Sequence, residues 1–370
     1  MEFTISRDEL QSALYLMQGV VERRTPIPIL GNVLLTAEGE GILVAATDQQ
    51  IGVRRRCSAK VKKKGATTAN GRMLHDIVRE LPDGDLSLRS LDNHWIEISS
   101  GKSRFKVVGI DPQEFPAMPK IAKEAEKQFV VVPPATLSEM ISRTLFAVSV
   151  DETRVNLSGI YVDRTEANLL RLVATDGHRL AMVTRTVDGL TPAHSVILPR
   201  KGIVELRRLL EGGDEPVAIA TKPPVVHASR GPVELSMRLV EGEFPDYKQV
   251  IPSNSTRHLT VQLEAFEAAL RRVSLVSSEI SHGIRLAAER GTLKISSVNP
   301  DRGEAEEEID AEFDGDPVVV GFNARYLLDV LNVMSPGARV EMSLGDELSP
   351  GILRGDDDRE FLYVVMPMRL

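Results

Sequence analysis

Leu170-Arg-Leu-Val-Ala-Thr-Asp-Gly-His-Arg-Leu-Ala181 is a strand-like apolar run that breaks into a tight polar turn. Gly41-Ile-Leu-Val-Ala45 repeats the run, Thr47-Asp48 repeats the Thr175-Asp176 pair that closes it, and Thr292-Leu-Lys-Ile-Ser296 is a third such run. A chain that keeps its landmarks in phase over about 130 residues uses one architecture more than once. The helices obey the same period. Ser6-Arg-Asp-Glu9 spells a capping box ahead of Leu10, Leu14 and Met17, which predicts an amphipathic helix over 7–19. Leu137, Met140, Ile141, Leu145 and Val148 predict its second copy over 135–149, and Phe266, Leu270, Val273 and Val276 its third over 263–276. A second helix follows in each third, on Leu74, Ile77, Val78 and Leu81, then on Ile203, Leu206 and Leu210, then on Leu327, Val330 and Leu331. Glu114-Phe-Pro116 and Glu243-Phe-Pro245 end the first two thirds. The expectation is an α+β chain of three repeated domains, 1–126, 127–253 and 254–370, with linkers at Pro119 to Lys127 and Pro252 to Arg257.

Composition narrows the function classes. A hydrophobic content of 42% over 370 residues supports a large core. No stretch approaches the ~20 apolar residues of a membrane span, and no basic start leads into a long apolar run, so the cytoplasm is the expected compartment. A single cysteine, Cys57, excludes an internal disulfide and any multi-thiolate metal site. The histidines, at 75, 94, 178, 194, 227, 258 and 282, are too scattered for a local zinc pair. With 45 basic against 53 acidic residues, the net charge of -8 argues against a uniformly basic nucleic-acid binder and leaves room for a basic face on an acidic molecule. Glu38-Gly-Glu-Gly41 and Glu211-Gly-Gly-Asp214 have neither Walker nor Rossmann spacing, and the acidic runs Glu304 to Glu308 and Gly355 to Asp358 read as solvated faces. Neither a metal nor a cofactor is expected. Asp176 and His178 in one turn allow two readings: an acid/base pair, or a turn whose Asp fixes the backbone while Gly177 takes a positive φ. The second is preferred, since no Ser or Cys nucleophile accompanies them.

Thr175-Asp-Gly-His-Arg-Leu180, Pro199-Arg-Lys-Gly202, Phe244-Pro-Asp-Tyr247, Gly321-Phe-Asn323 and the terminal Tyr363-Val-Val-Met-Pro-Met-Arg-Leu370 occur in an order that resembles the bacterial DNA polymerase III beta subunit, the replicative sliding clamp. The likeness runs from Phe3 through Pro28-Ile-Leu-Gly-Asn32 to the last residue. It implies three clamp domains, each two helices backed by antiparallel sheets, dimerised head to tail into a ring around double-stranded DNA, with no catalysis. Basic helix faces would line the hole and meet phosphates whatever the sequence: Arg72, Arg79, Arg200, Lys201, Arg207, Arg208 and Arg325 on second helices, Arg143, Arg271 and Arg272 on first helices, and Arg24 in a loop.

The resemblance also implies a hydrophobic cleft in which the replicative polymerase, the clamp loader and repair proteins dock short linear peptides. Its residues here would be Arg154, Leu157, Thr175, Gly177, His178, Arg179, Leu180, Pro245, Val250, Asn323, Tyr326, Leu348, Val364, Val365, Met366, Pro367, Met368 and Arg369. Methionine walls suit a groove with many partners. For the homodimer seam, Lys102, Arg104 and Lys106 alternate on one strand face and Glu304, Glu306 and Glu308 on another, while Phe105 and Val107 would meet Leu275 and Val276. The chain departs from the family pattern at Gln249, where Arg is frequent, and at Val155-Asn156, where aromatics occur. On residues alone two alternatives stay open: a metal-dependent nuclease built on Asp176, His178 and the acidic runs, and a peptide-binding scaffold that needs no DNA.

Overall fold

A computed structural model describes residues 1–22, 24–119, 130–151, 153–211, 213–253 and 255–369. Most of the first expected linker, with the border at 126/127, lies outside the described residues, as does Asn254 in the second. Among the described residues there are six α-helices, two in each third: α1 (Arg7–Met17), α2 (Gly71–Glu80), α3 (Pro134–Leu145), α4 (Arg200–Leu210), α5 (Leu263–Ser274) and α6 (Ala324–Leu331). Their starts follow from capping. Ser6 Oγ accepts the Glu9 N–H of α1 (3.3 Å), Asn70 the Met73 N–H of α2 (2.9 Å) and Asn323 the Arg325 N–H of α6 (2.9 Å). Only half of the Ser6 capping box forms, because the Glu9 carboxylate turns to Arg55, 3.3 Å away. α3 stops short of the predicted 149: Ala147 and Val148 bond back three residues, to Thr144 and Leu145, which tightens the chain out of α geometry.

Each helix buries the stripe that its spacing foretells, such as Leu10, Leu14 and Met17 on α1 or Phe266, Leu270 and Val273 on α5. Each such side chain contributes roughly 1.5–3 kcal/mol of transfer free energy. The stripes rest on four antiparallel sheets. One unit, residues 1–137 with 201–239, holds a five-stranded sheet in the order 60–63, 2–6, 85–90, 95–100, 103–108 and an eight-stranded sheet. The other unit, 138–200 with 240–370, holds a nine-stranded sheet and a four-stranded one in the order 303–310, 292–299, 283–289, 318–323.

The large sheets do not respect the threefold sequence period. In the first unit Val233–Arg238 pairs with Ile51–Ser58, with Leu235 opposite Val53. In the second, Asp358–Val365 pairs with Arg179–Thr186, with Val364 opposite Leu180. The middle third is therefore divided between the two units. The driving force is backbone satisfaction: a strand left at an edge exposes a row of N–H and C=O groups, and the neighbouring repeat supplies their partners.

Candidate functional site

Strand Leu169–Thr175 passes into strand Arg179–Thr186 through Asp176, Gly177 and His178. Thr175 Oγ1 donates to the Arg179 carbonyl (2.6 Å) and accepts from the Gly177 N–H (3.1 Å), while Asp176 Oδ1 accepts from the N–H groups of His178 (2.9 Å) and Arg179 (3.1 Å). The first third makes the same turn bond for bond, with Thr47 on the Ile51 carbonyl (2.8 Å), Gln49 N–H on Thr47 (3.0 Å), and the N–H groups of Gln50 and Ile51 on Asp48 (2.9 and 2.6 Å). Gly177 has φ 87° and Gln49 φ 75°, so the Thr-Asp pair, with or without glycine, defines this turn. Asp176 Oδ2 accepts from Arg179 Nε (3.0 Å), and the His178 ring stacks on Tyr326 at 6.4 Å. The two side chains that could form an acid/base pair thus point to different partners.

Arg179 anchors the region. Its Nη1 donates to Asp329 (2.6 Å), its Nη2 to the Phe146 carbonyl (2.7 Å), and its guanidinium lies 4.4 Å over the Tyr326 ring. Burial works against its charge, yet Tyr363 together with the carboxylates of Asp329 and Asp176 outweighs it and holds the pKa above the ordinary guanidinium value. Over this base lies the C-terminal tail: Met366 N–H donates to the His178 carbonyl (2.9 Å) and Met368 N–H to that of Gly321 (2.8 Å). Of the residues expected in the cleft, Gly177, His178, Pro245, Val250, Leu348 and Arg369 are exposed, with Asn323, Tyr326, Met366, Pro367 and Met368 half-buried.

Several expected groove residues sit elsewhere. Leu180 and Val364 belong to a buried cluster with Val173, Tyr247 and Leu362, and Val365 is fully buried between Arg179 and Gly351, because the last strand is paired on both sides. These residues, like buried Leu157, belong to the core and offer no exposed wall. Thr175 is committed to its turn, and Arg154 donates to the Asp176 carbonyl (3.1 Å). Sequence reasoning missed Arg285, Val319, Gly321 and Glu347, which line a 350 Å³ pocket together with the expected Leu348, Met368 and Arg369. Its signal was weak: Val319 is 53% exposed between buried Val318 and Val320, and a Val-Val-Val run does not disclose which residue faces out.

The expected phosphate contacts also divide. Arg24, Arg72, Arg200, Arg207 and Arg325 are exposed, and among the described residues none of them has a carboxylate at ion-pair distance. Arg79 meets Asp76 and Glu80, Arg271 meets Glu267, and Arg272 meets Glu307, all in exposed pairs that water screens. Arg143 is a correction. It is 8% exposed, bonded to Glu139 (2.9 Å) and Asp358, and lies 5.1 Å from the Phe361 ring; Arg185 completes the network on the same two carboxylates. Arg208 is tied to buried Glu205 (3.0 Å), and a Cβ on Gly19 would collide with both. Lys201 is held by Glu22 (3.0 Å) and Asp48.

Comparison with known proteins assigns every third of the chain. The descriptions "DNA polymerase III beta subunit, N-terminal domain", "central domain" and "C-terminal domain" match residues 1–119, 131–246 and 248–369. The chain belongs to the DNA polymerase III beta subunit family. It is 38% identical over 376 residues to the beta sliding clamp of Caulobacter vibrioides and 36% identical over 371 residues to that of Escherichia coli, with 100% of both chains covered in each case. The solved DNA polymerase III subunit beta of Pseudomonas aeruginosa bound to griselimycin superposes with a TM-score of 0.94 at 36% identity, and Caulobacter crescentus pol III beta with 0.94 at 38%, again over 100% of both chains.

For a beta subunit chain, the unpaired sheet edges matter. Ser103–Val108 ends the five-stranded sheet and Gly303–Asp310 ends the four-stranded one. Lys102, Arg104, Phe105 and Lys106 are exposed on the first edge, and Glu304, Glu306 and Glu308 on the second, where Glu306 already meets Lys294 at 2.7 Å. Leu275 is 74% exposed and Val276 half-buried. Val107 departs from expectation, since it is buried in its own sheet's core and brings only backbone to the edge.

Proposed function

We propose that two copies of this chain join head to tail into a ring that encircles double-stranded DNA, slides along it and acts as a processivity factor. One observation carries the reading. Strands pair across repeat borders twice within the chain, 51–58 with 233–238 and 179–186 with 358–365. Their third counterparts by the repeat, 303–310 and 103–108, are both sheet edges. Pairing these edges between copies repeats the internal join, with Arg104 and Lys106 facing Glu306 and Glu308, and closes the ring. The full-length relatives called beta sliding clamps support it. The domains are 1–126, 127–253 and 254–370. Arg24, Arg72, Arg200, Arg207 and Arg325 touch phosphates, and the groove around His178, Met366 and Met368 tethers the replicative polymerase, the clamp loader and repair proteins through short peptides. Retention by topology needs no bond making, so the protein is not an enzyme, and its place of work is the cytoplasm.

Sizing the purified protein and measuring its retention on circular DNA tests this. A dimer that stays on closed circles and leaves after linearisation is expected. A stable monomer, or equal retention on both forms, overturns the ring.

A further inference from the structure

The first two repeats share the Phe-Pro landmark but not the side chains that pack beside it. In both, the segment after the Phe-Pro landmark crosses the sheet face turned away from the helices. In the second repeat that crossing is plugged. Tyr161 stacks on Phe244 at 4.7 Å, Tyr247 is buried with its hydroxyl donating to Asp163 (2.8 Å), and Arg171 bonds both Asp163 (3.2 Å) and Tyr247 (3.3 Å). Strand register gives the counterparts in the first repeat: Tyr161 opposite Val173 corresponds to Leu34 opposite Ala45, and Asp163 opposite Arg171 to Thr36 opposite Leu43. Tyr247 corresponds to Met118, three residues past the Phe of each landmark. Phe244 is kept as Phe115, but Tyr161, Asp163, Arg171 and Tyr247 are each replaced by a smaller or uncharged residue, and a 530 Å³ pocket stands there, lined by Leu34, Leu43, Ala45, Phe115, Pro116 and Met118. That size suits a specific ligand.

Its charged groups are two arginines and two glutamates, Glu38 and Glu234. Arg54 and Arg56, two apart on one strand, both line the pocket. Each has a carboxylate only at the limit of ion pairing, Glu234 and Glu38 at 3.9 Å, whereas Arg185 in the second unit meets its carboxylates at 2.5 Å. Arg54 also donates to the Met118 carbonyl (2.9 Å), which leaves most of its fork, and the more exposed Arg56 fork, without a close acceptor among the described residues. Burial, and further the like charge of Arg56, outweigh the pull of Glu234 and lower the Arg54 pKa.

We propose that the first repeat carries a second peptide site, separate from the C-terminal groove, that takes an apolar side chain into the Leu34, Leu43 and Met118 pocket with an adjacent carboxylate on Arg54 and Arg56. The occupant is an extended segment of a partner protein carrying an apolar residue next to Asp or Glu.

The full-length protein is titrated with a short synthetic peptide centred on Leu-Phe-Asp, and the methyl signals of Leu34, Leu43 and Met118 are followed by NMR. Saturable shifts at these methyls are expected. The Leu-Phe-Asn peptide and the Arg54→Ala/Arg56→Ala variant should each bind about tenfold more weakly, as removal of a charge-assisted hydrogen bond requires. Transplanting the second repeat's own plug, Leu34→Tyr, Thr36→Asp, Leu43→Arg and Met118→Tyr, should abolish binding in a protein that unfolds at an unchanged temperature. If the plug variant does not fold, the arginine variant decides. Equal binding of the Asp and Asn peptides, undiminished binding by the arginine variant or a folded plug variant, or no shifts at millimolar peptide overturns the proposal. So does a shift pattern that grows with protein concentration alone, which would mean that a second copy covers this face.

Discussion

Arg179 shows how one side chain can hold a site without facing its ligand. Three acceptors and an aromatic face converge on its guanidinium. Arg179→Ala leaves two carboxylates and a carbonyl without their partner and should cost about 3–5 kcal/mol in denaturant unfolding. Arg179→Lys should recover little, because a single ammonium cannot span that fork. Asp163 makes a prediction about acid. Burial pulls its pKa upward, but hydrogen bonds from Thr165 and Tyr247 and the charge of Arg171 outweigh this and hold it below the ordinary carboxylate value. A depressed folded-state pKa stabilises above the unfolded value of about 3.9 and loses that contribution as pH falls through the folded value. Stability measured against pH should fall on the acid side of that range, and Asp163→Asn should flatten this limb while lowering stability at neutral pH.

At the scale of elements, the Thr-Asp turn and the sheet edges behave as modules. Because Gln49 occupies the position of Gly177 with φ 75°, a side chain is tolerable there, and among the described residues the nearby obstacle to a Cβ on Gly177 is the end of the Arg154 side chain, 2.7 Å away. Gly177→Asn should therefore lower stability by only about 1 kcal/mol, read from thermal unfolding. The edge strands carry opposite charge, so Arg104→Glu with Lys106→Glu should weaken the proposed dimer across a dilution series. Glu306→Lys with Glu308→Lys in the same protein should restore part of it. A dimer of unchanged stability in the first variant would show that apolar and backbone contacts hold the seam without the charges.

The whole molecule sets the DNA behaviour. Replacing Arg24, Arg72, Arg200, Arg207 and Arg325 together should weaken duplex binding evenly across sequences and reduce the salt slope by about 0.9 for each phosphate that is no longer neutralised. Lys201→Ala should change that slope less, since Glu22 and Asp48 already hold its charge. Arg143→Ala should leave DNA binding unchanged and destabilise the protein, because it strips the Glu139, Asp358 and Arg185 network of a buried charge. Deleting the chain from Met366 keeps the paired strand through Val365, so the truncated protein should fold and bind DNA yet lose partner peptides in a titration.

Local physics made much of this legible in the residues themselves. Apolar spacing located the helices, Ser6 foretold its own cap, and the Thr-Asp pairs marked their turns, since each depends on neighbours within a few positions. Resemblance placed the groove near His178 and the C-terminal tail. What no local pattern could disclose is which way a side chain faces once distant strands pair. Arg143 and Arg72 read alike as helix arginines, but only packing against Asp358 and Phe361 buries the first and leaves the second exposed. Val365 and Met366 are neighbours in an apolar tail, and only pairing with Arg179 and Gly351 makes one core and the other groove. Leu34 and Leu43 read as ordinary strand residues until the second repeat's Tyr161 and Arg171 show what would have filled their place. Burial and charge neutralisation are properties of contacts between remote segments, so they exist only in the folded chain.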